Sequence, residues 1–305
     1  MSTYPAQQDW RAGVVSTCQR KNMVKIIYSK KCLGYREPGH PESPERVGNS
    51  YYLLRDKGFE FIEPQPCSEQ DLLLVHSAEM IESVKENTFR DGDTPNFPGI
   101  YDIAKLSAGG AIRAGELALE GEGSFSLMRP PGHHATRDMV YGFCYFNNMA
   151  IAVKKTLKAD PGKRIAIIDI DCHHGNGTEG IFLGEKRIVY LSLHQSPLFP
   201  GTGLGPQRNC IDFPLSAGTG EEEYLKALAA GLEEVKKFDP SLVAVSAGFD
   251  TYEKDPISDM DLKQETYRKI SGLIKDLGRP VFSVLEGGYS PDLPHCIYQY
   301  LLGIE

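Results

Sequence analysis

No run of apolar residues in this 305-residue sequence approaches the roughly eighteen that a membrane-spanning helix requires. The N-terminus lacks the apolar core of a signal peptide. The cysteines lack both an even number and a regular spacing, seven being scattered along the chain. That pattern argues against a secreted disulfide framework and for free, mostly buried thiols in a reducing compartment, so a soluble, cytoplasmic protein is expected. An excess of basic charge is missing as well. The formal net charge is −8, which argues against charge-driven adhesion to nucleic acid or an anionic membrane, although an acidic surface attracts a cationic substrate. Internal repeats, low-complexity linkers and the composition of a disordered chain are absent too.

What is present is an alternation. Residues 1–22 show no sustained period and read as a flexible extension. From Met23 onward, β-rich apolar runs (VKIIYS, SFSLM, RIAIIDI, RIVYLSL, SLVAVSA and PVFSVL) alternate with amphipathic stretches (PERVGNSYYLLRDKG, IYDIAKLSAGGAIRAGELALEG, FNNMAIAVKKTLKA, GEEEYLKALAAGLEEVKKF and DLKQETYRKISGLIKDLG). Runs apolar on both faces suit a buried parallel sheet. Thr219 followed by Glu222 has the form of a capping box. The expected fold is a single doubly wound α/β domain, its mostly parallel sheet flanked by helices and its long loops gathered at the carboxyl ends of the strands, where such sheets bind ligands.

The residues after each apolar run are accordingly the ones that matter. SFSLM leads into RPPGHH, RIAIIDI into DCHH, RIVYLSL into His194, SLVAVSA into GFD and PVFSVL into EGGY, and these segments hold five of the eight histidines. Gly175, Gly177 and Gly180 fit G-x-G-x-x-G, a dinucleotide signature. That signature needs a full helix before the next strand and an acid about twenty positions on; only IFLGEK intervenes here, and the next strand ends at His194 and Gln195. A metal site fits better. In an extended segment Asp171 and His173 share a face while Cys172 points away to pack, and Asp250 supplies a third donor from another strand end. Two carboxylates and one imidazole leave tetrahedral zinc an open position, the mark of a catalytic site. A single buried Asp or His is usually a satisfied core residue. Several carboxylates desolvated together are less costly with a cation among them.

RPPGHHA, GFCYFNN, DIDCHHGNGT, SLHQSPLFPGTG, SAGFDTYEKDP and LEGGY resemble, in order, the motifs of the zinc-dependent histone deacetylases and acetylpolyamine amidohydrolases, from about Tyr28 to the C-terminal end. The resemblance implies an arginase/deacetylase-like fold, a zinc-dependent deacetylase domain over residues 23–305, and removal of acetyl groups from N-acetylated amines by metal-activated water. It implies one zinc on Asp171, His173 and Asp250. His133 and His134 become the tandem histidines, His134 the general base and acid, with Asp169 orienting His133 and Asn176 orienting His134. Some family members carry a carboxylate where Asn176 stands, and the amide leaves His134 less basic. Tyr289 becomes the phenol that meets the developing oxyanion.

By the same resemblance Phe143 and Phe199, with Gly142, wall an acetyl-lysine tunnel, where core packing is the ordinary role of such aromatics. Asp93 grips a substrate backbone at the rim. Arg46 lines an inner cavity for acetate, with a surface salt bridge as the alternative. A structural potassium ion is expected on carbonyls of the Asp169, Asp171 and His173 loop and at Ser192 and Leu193. Polyamine-selective members narrow the tunnel with a rim glutamate or a long insertion. Here Ile257 follows Asp255-Pro256, and residues 90–100 form a short segment. Asp93 also favours a peptide, whereas DTYEKDPIS and the acidic balance favour a polyamine. The substrate expected is acetyl-lysine in proteins or peptides. The alternatives are an acetylated polyamine and, in a different class, a non-catalytic metal-containing binding module.

Overall fold

The structure is a computed structural model that describes residues 24–305; the extension expected over residues 1–22 lies outside them. Eight strands form one sheet in which every pairing is parallel. They are β1 (Lys25–Ile27), β2 (Phe61–Ile62), β3 (Ser124–Ser126), β4 (Ile165–Asp169), β5 (Ile188–Gln195), β6 (Cys210–Leu215), β7 (Leu242–Ala247) and β8 (Val281–Leu285). Their spatial order is β2-β1-β3-β8-β7-β4-β5-β6.

Every residue of β4, β5, β7 and β8 is buried, as runs apolar on both faces require. Alternation along β4 splits the core in two. Ala166 and Ile168 pack on one face with Leu228 and Leu232 of α7 (Glu221–Phe238), Ile270 of α8 (Gln264–Lys275) and Ile297 of the helix Leu293–Ile304. Ile165 and Ile167 pack on the other with Ala108 and Ala111 of α4 (Ile100–Leu119) and Ile151 of α5 (Asn148–Ala159). Each fully buried Ile or Leu contributes roughly 1.5–3 kcal/mol, so the middle of the sheet is a firm base for the loops at its edge.

The remaining helices are α1 (Pro44–Asp56), α2 (Glu69–Leu72), α3 (Ala78–Lys85), α6 (Asn176–Phe182) and α9 (Leu293–Ile304). Three local expectations need correction. The capping box at Thr219 does not form: Gly220 is the N-cap of α7, and the Thr219 hydroxyl faces Glu223 at 3.5 Å. Strand β4 ends at Asp169, so Asp171 and His173 come together in a bend, not by alternation along a strand. Strand β5 ends at Gln195, as expected, and this places His194 within the strand and not in the segment after it. The glycines of the G-x-G-x-x-G pattern enter and fill α6 itself. A side chain at Gly177 would strike the Ala135 carbonyl oxygen at 2.3 Å, so that glycine lets α6 press against the paired-histidine segment.

Candidate active site

Strands β3, β8, β7 and β4 are neighbours in the sheet, and the segments that follow them, residues 129–135, 286–289, 248–250 and 170–175, meet at one edge. There His173 Nδ1 lies 2.9 Å from Asp250 Oδ2 and 3.2 Å from Asp171 Oδ1. Donor atoms of these three buried side chains lie within 4.8 Å of one another. Backbone amides hold the carboxylates in place: His173 N–H donates to Asp171 Oδ1 (2.9 Å), Gly287 N–H to Asp171 Oδ2 (2.7 Å) and Cys172 N–H to Asp250 Oδ1 (2.7 Å). Cys172 itself is buried in the core, its Sγ 3.7 Å from Gln195 Oε1.

The electrostatics fit a cation. Burial and the facing Asp171 push the Asp250 carboxyl up to about 6. Burial also works against charge on Asp171, yet the His133 and His173 cations hold its carboxyl well below the usual range. Two carboxylates converging on one imidazole nitrogen form a site for a divalent ion such as zinc, with donors of the type that ion takes.

His133 and His134 lie beside this group, ring centroids 4.0 Å apart and tilted by 44°. His133 Nδ1 lies 3.1 Å from Asp169 Oδ2, which also accepts from the Tyr190 hydroxyl at 3.0 Å. Burial disfavours charge on His133, but the Asp171 and Asp169 carboxylates outweigh it and raise its pKa to about 10. His134 Nδ1 lies 2.8 Å from Asn176 Oδ1. Burial, then the His133 and His173 cations, push the His134 pKa well below its ordinary value. An amide oxygen only accepts, so His134 carries its proton on Nδ1 and leaves Nε2 with a lone pair.

Tyr289 follows Gly288, whose φ of +113° makes the turn that aims the ring. Its backbone N–H donates to Asp255 Oδ2 at 2.6 Å, and its phenol makes no hydrogen bond among the described residues. Behind the ring stands the Arg46 guanidinium, 4.5 Å from the centroid. Arg46 is 6% exposed and donates to the Gly288 and Glu286 carbonyls at 2.6 Å each, so it forms no surface salt bridge.

A cavity opens over His133, His134, Asp171, His173 and Tyr289, and its outer walls are Phe143, Phe199, Leu198, Gly142, Ile257 and Asp93. Gly142 and Phe143 both take positive φ, 54° and 68°, and the Phe143 N–H is pinned by Thr94 Oγ1 at 2.8 Å. Thus every expected catalytic, metal and substrate-binding side chain falls at one site or on its wall. Ser192 stands beside Asp169 in the β4–β5 register, with Leu193 next along the strand, and the Ser192 hydroxyl lies 2.9 Å from His194 Nδ1. Residues that sequence reasoning passed over also build the site. Glu286 accepts from the backbone of Gly132 (2.7 Å) and His133 (3.1 Å), and Asp255 fixes the backbone of Tyr289. Each is an acid that follows an apolar run or sits in a quoted motif, which was the available signal.

The histone deacetylase domain family matches residues 40–303. The chain belongs to that family. It is 39% identical over 292 residues to a probable deacetylase of Archaeoglobus fulgidus, a match that covers 87% of this chain and 81% of that protein. The HDA15 HD domain superposes with a TM-score of 0.86 at 29% identity, covering 92% of this chain and 89% of that one. An acetylpolyamine aminohydrolase from Burkholderia pseudomallei has the same fold, with a TM-score of 0.86 at 24% identity over 92% of this chain and 98% of its own. The protein is therefore a deacetylase, a hydrolase of the histone deacetylase family, and a non-catalytic module is set aside.

Proposed function

We propose that this deacetylase removes acetyl groups from lysine side chains of peptides or proteins, using one zinc ion held by Asp171, His173 and Asp250. The observation that carries the proposal is the convergence of those three buried donors, His134 and the free Tyr289 phenol on a single cavity with apolar walls. When bound, the ion supplies Lewis acidity, polarising the amide carbonyl and making a water molecule easier to deprotonate.

The chain's own groups do the rest. His134 Nε2 takes a proton from the attacking water, and its Nδ1–H stays on Asn176. The Tyr289 phenol donates to the oxygen that gains charge, its pKa held well above the ordinary value by burial so that the proton stays available. His133, cationic beside Asp169, steadies the negative charge that develops, and a protonated histidine of the pair serves the leaving amine.

Phe143, Phe199 and Ile257 suit the methylenes of a lysine side chain, and Asp93 at the mouth suits a peptide N–H. Arg46 and Tyr289 line a second cavity with Ser43 and Asn49, which the proposal assigns to departing acetate. Potassium at the Asp169, Asp171, His173, Ser192 and Leu193 segment is part of the same proposal, as a structural ion. So is a cytoplasmic location, supported by six described cysteines that are all free and buried, while no described helix is long and apolar enough to cross a membrane. A polyamine substrate keeps two observations in its favour, the DTYEKDPIS segment and the net charge of −8.

Acetate release from an acetyl-lysine peptide and from an acetylated polyamine, compared by kcat/KM before and after chelation, tests the proposal. Chelator-sensitive turnover that prefers the peptide is expected. Preference for the polyamine overturns the substrate assignment, and turnover indifferent to chelation overturns the metal.

A further inference from the structure

Directly beside the catalytic donors, the second histidine of the DCHHG segment belongs to a different group. His174 Nε2 lies 2.9 Å from Glu179 Oε2 and 3.3 Å from Asp212 Oδ1. Donor atoms of these three side chains, all buried, lie within 4.8 Å of one another. Asp212 is 3% exposed, and neither of its carboxylate oxygens has a hydrogen-bond partner. A carboxylate withdrawn from water and left without a donor costs several kcal/mol unless a cation answers it.

We infer that His174, Glu179 and Asp212 form a second divalent-metal site, structural and distinct from the catalytic one. It does not depend on the catalytic assignment. Three features support it beyond the unpartnered Asp212. The donor set, one imidazole and two carboxylates, suits a first-row transition ion such as zinc, with His174 Nε2 as the nitrogen donor. The supporting contacts are those a ligand set needs: the His174 Nδ1 side is fixed by Thr202 Oγ1 at 2.7 Å, and the spare Glu179 oxygen accepts from Gln207 Nε2 at 2.6 Å. Charge also balances. With the ion bound to a neutral imidazole, the two carboxylates carry two negative charges, which a divalent ion cancels.

His174 comes from the segment between β4 and α6, Glu179 from α6 and Asp212 from β6, while their supports Thr202 and Gln207 belong to the loop between β5 and β6, the loop that also carries Phe199. An ion here ties that loop to the sheet behind the substrate cavity. None of the three ligands lines the cavity, so the role is holding, not chemistry.

Native mass spectrometry of the full chain, equilibrated with zinc and in parallel with manganese(II) and then freed of excess metal, reads the outcome directly. Two ions per chain are expected in the wild type, one in Asp212→Asn and in Glu179→Gln, one in Asp250→Asn, and none in the Asp212→Asn/Asp250→Asn double variant. One ion in the wild type with both metals, absent from Asp250→Asn, overturns the second site. So do two ions retained in both Asp212→Asn and Glu179→Gln, which puts the extra ion elsewhere. Where one of Asp212→Asn and Glu179→Gln fails to fold, the other decides.

Discussion

Two regions of this protein bury carboxylates equally deeply and treat them in opposite ways. Glu42 sits behind Tyr289, where Arg129 Nε reaches its Oε1 at 2.8 Å, Arg46 Nη1 the same oxygen at 3.0 Å and the Tyr35 hydroxyl its Oε2 at 2.6 Å. Burial opposes its charge, but Arg129 and then Arg46 overcome that and pull the carboxyl down to about 2. Asp250, at the end of β7, is equally enclosed, yet burial and Asp171 push it up to about 6. The difference is the counter-charge. Arginines built into the chain neutralise the first group, while the second has only imidazoles and a rival carboxylate. Buried acids whose charge the chain leaves unanswered are where a metal ion belongs.

The largest effects expected fall on the metal-facing region. Tyr289→Phe and His134→Ala should each lower kcat by about 10²–10⁴-fold, with zinc stoichiometry and Tm close to wild type. Near-normal turnover in either variant removes that residue from the chemistry. The Glu42 region should behave in the reverse way. Glu42→Gln strands two buried arginines, and breaking such a network costs about 3–5 kcal/mol, seen as a Tm lower by several degrees whether or not zinc is present. A Tm unchanged by the substitution would break the contrast drawn between the two regions.

Acid titration sharpens the contrast, because the two shifts have opposite signs. Glu42 is depressed when folded, so its contribution is complete above about 4.5 and is lost as pH falls toward 2. Asp250 is raised. Between 3.8 and about 6 the folded, metal-free protein therefore binds more protons than the unfolded chain, and stability falls as pH rises through that window. Each pKa unit corresponds to about 1.4 kcal/mol. Tm measured against pH should show both slopes without metal. Saturating zinc should abolish the Asp250 slope and leave the Glu42 slope. Persistence of the upper slope in zinc would show that the ion does not sit on Asp250.

Much of the catalytic edge was legible because a parallel sheet delivers every strand's carboxyl end to one side. DCHH, GFD and EGGY each follow an apolar run, and the fold needed only to bring those ends together. The second His–Glu–Asp group was not legible for a local reason. Its third member, Asp212, lies in CIDFPL, where a charge and Pro214 interrupt the apolar pattern of what is in fact β6. Glu179 was hidden inside the glycine pattern of α6. The Glu42 network was invisible because Arg129 is 87 residues distant and nothing in HPESPERV marks its glutamate as buried. The helix α9 escaped because LPHCIYQYLLGI is apolar over most of its surface and shows little periodicity.

The smallest effect expected is at the mouth of the cavity, where a charge is solvated and the contrast between regions fades. Ile257 lines the wall, its N–H 3.2 Å from Asp255 Oδ1. Ile257→Glu adds a carboxylate that water partly screens, so it contributes only about 1 kcal/mol toward a cationic substrate, or roughly five- to tenfold in relative kcat/KM for an acetylated polyamine against an acetyl-lysine peptide. The shift should shrink as ionic strength rises, since the Debye length falls to about 3 Å at 1 M salt. A change of a hundredfold or more, insensitive to salt, would mean that residue 257 is desolvated in the complex and that the mouth closes around its substrate. No change at all would remove Ile257 from specificity and leave Asp93 as the rim residue to alter next.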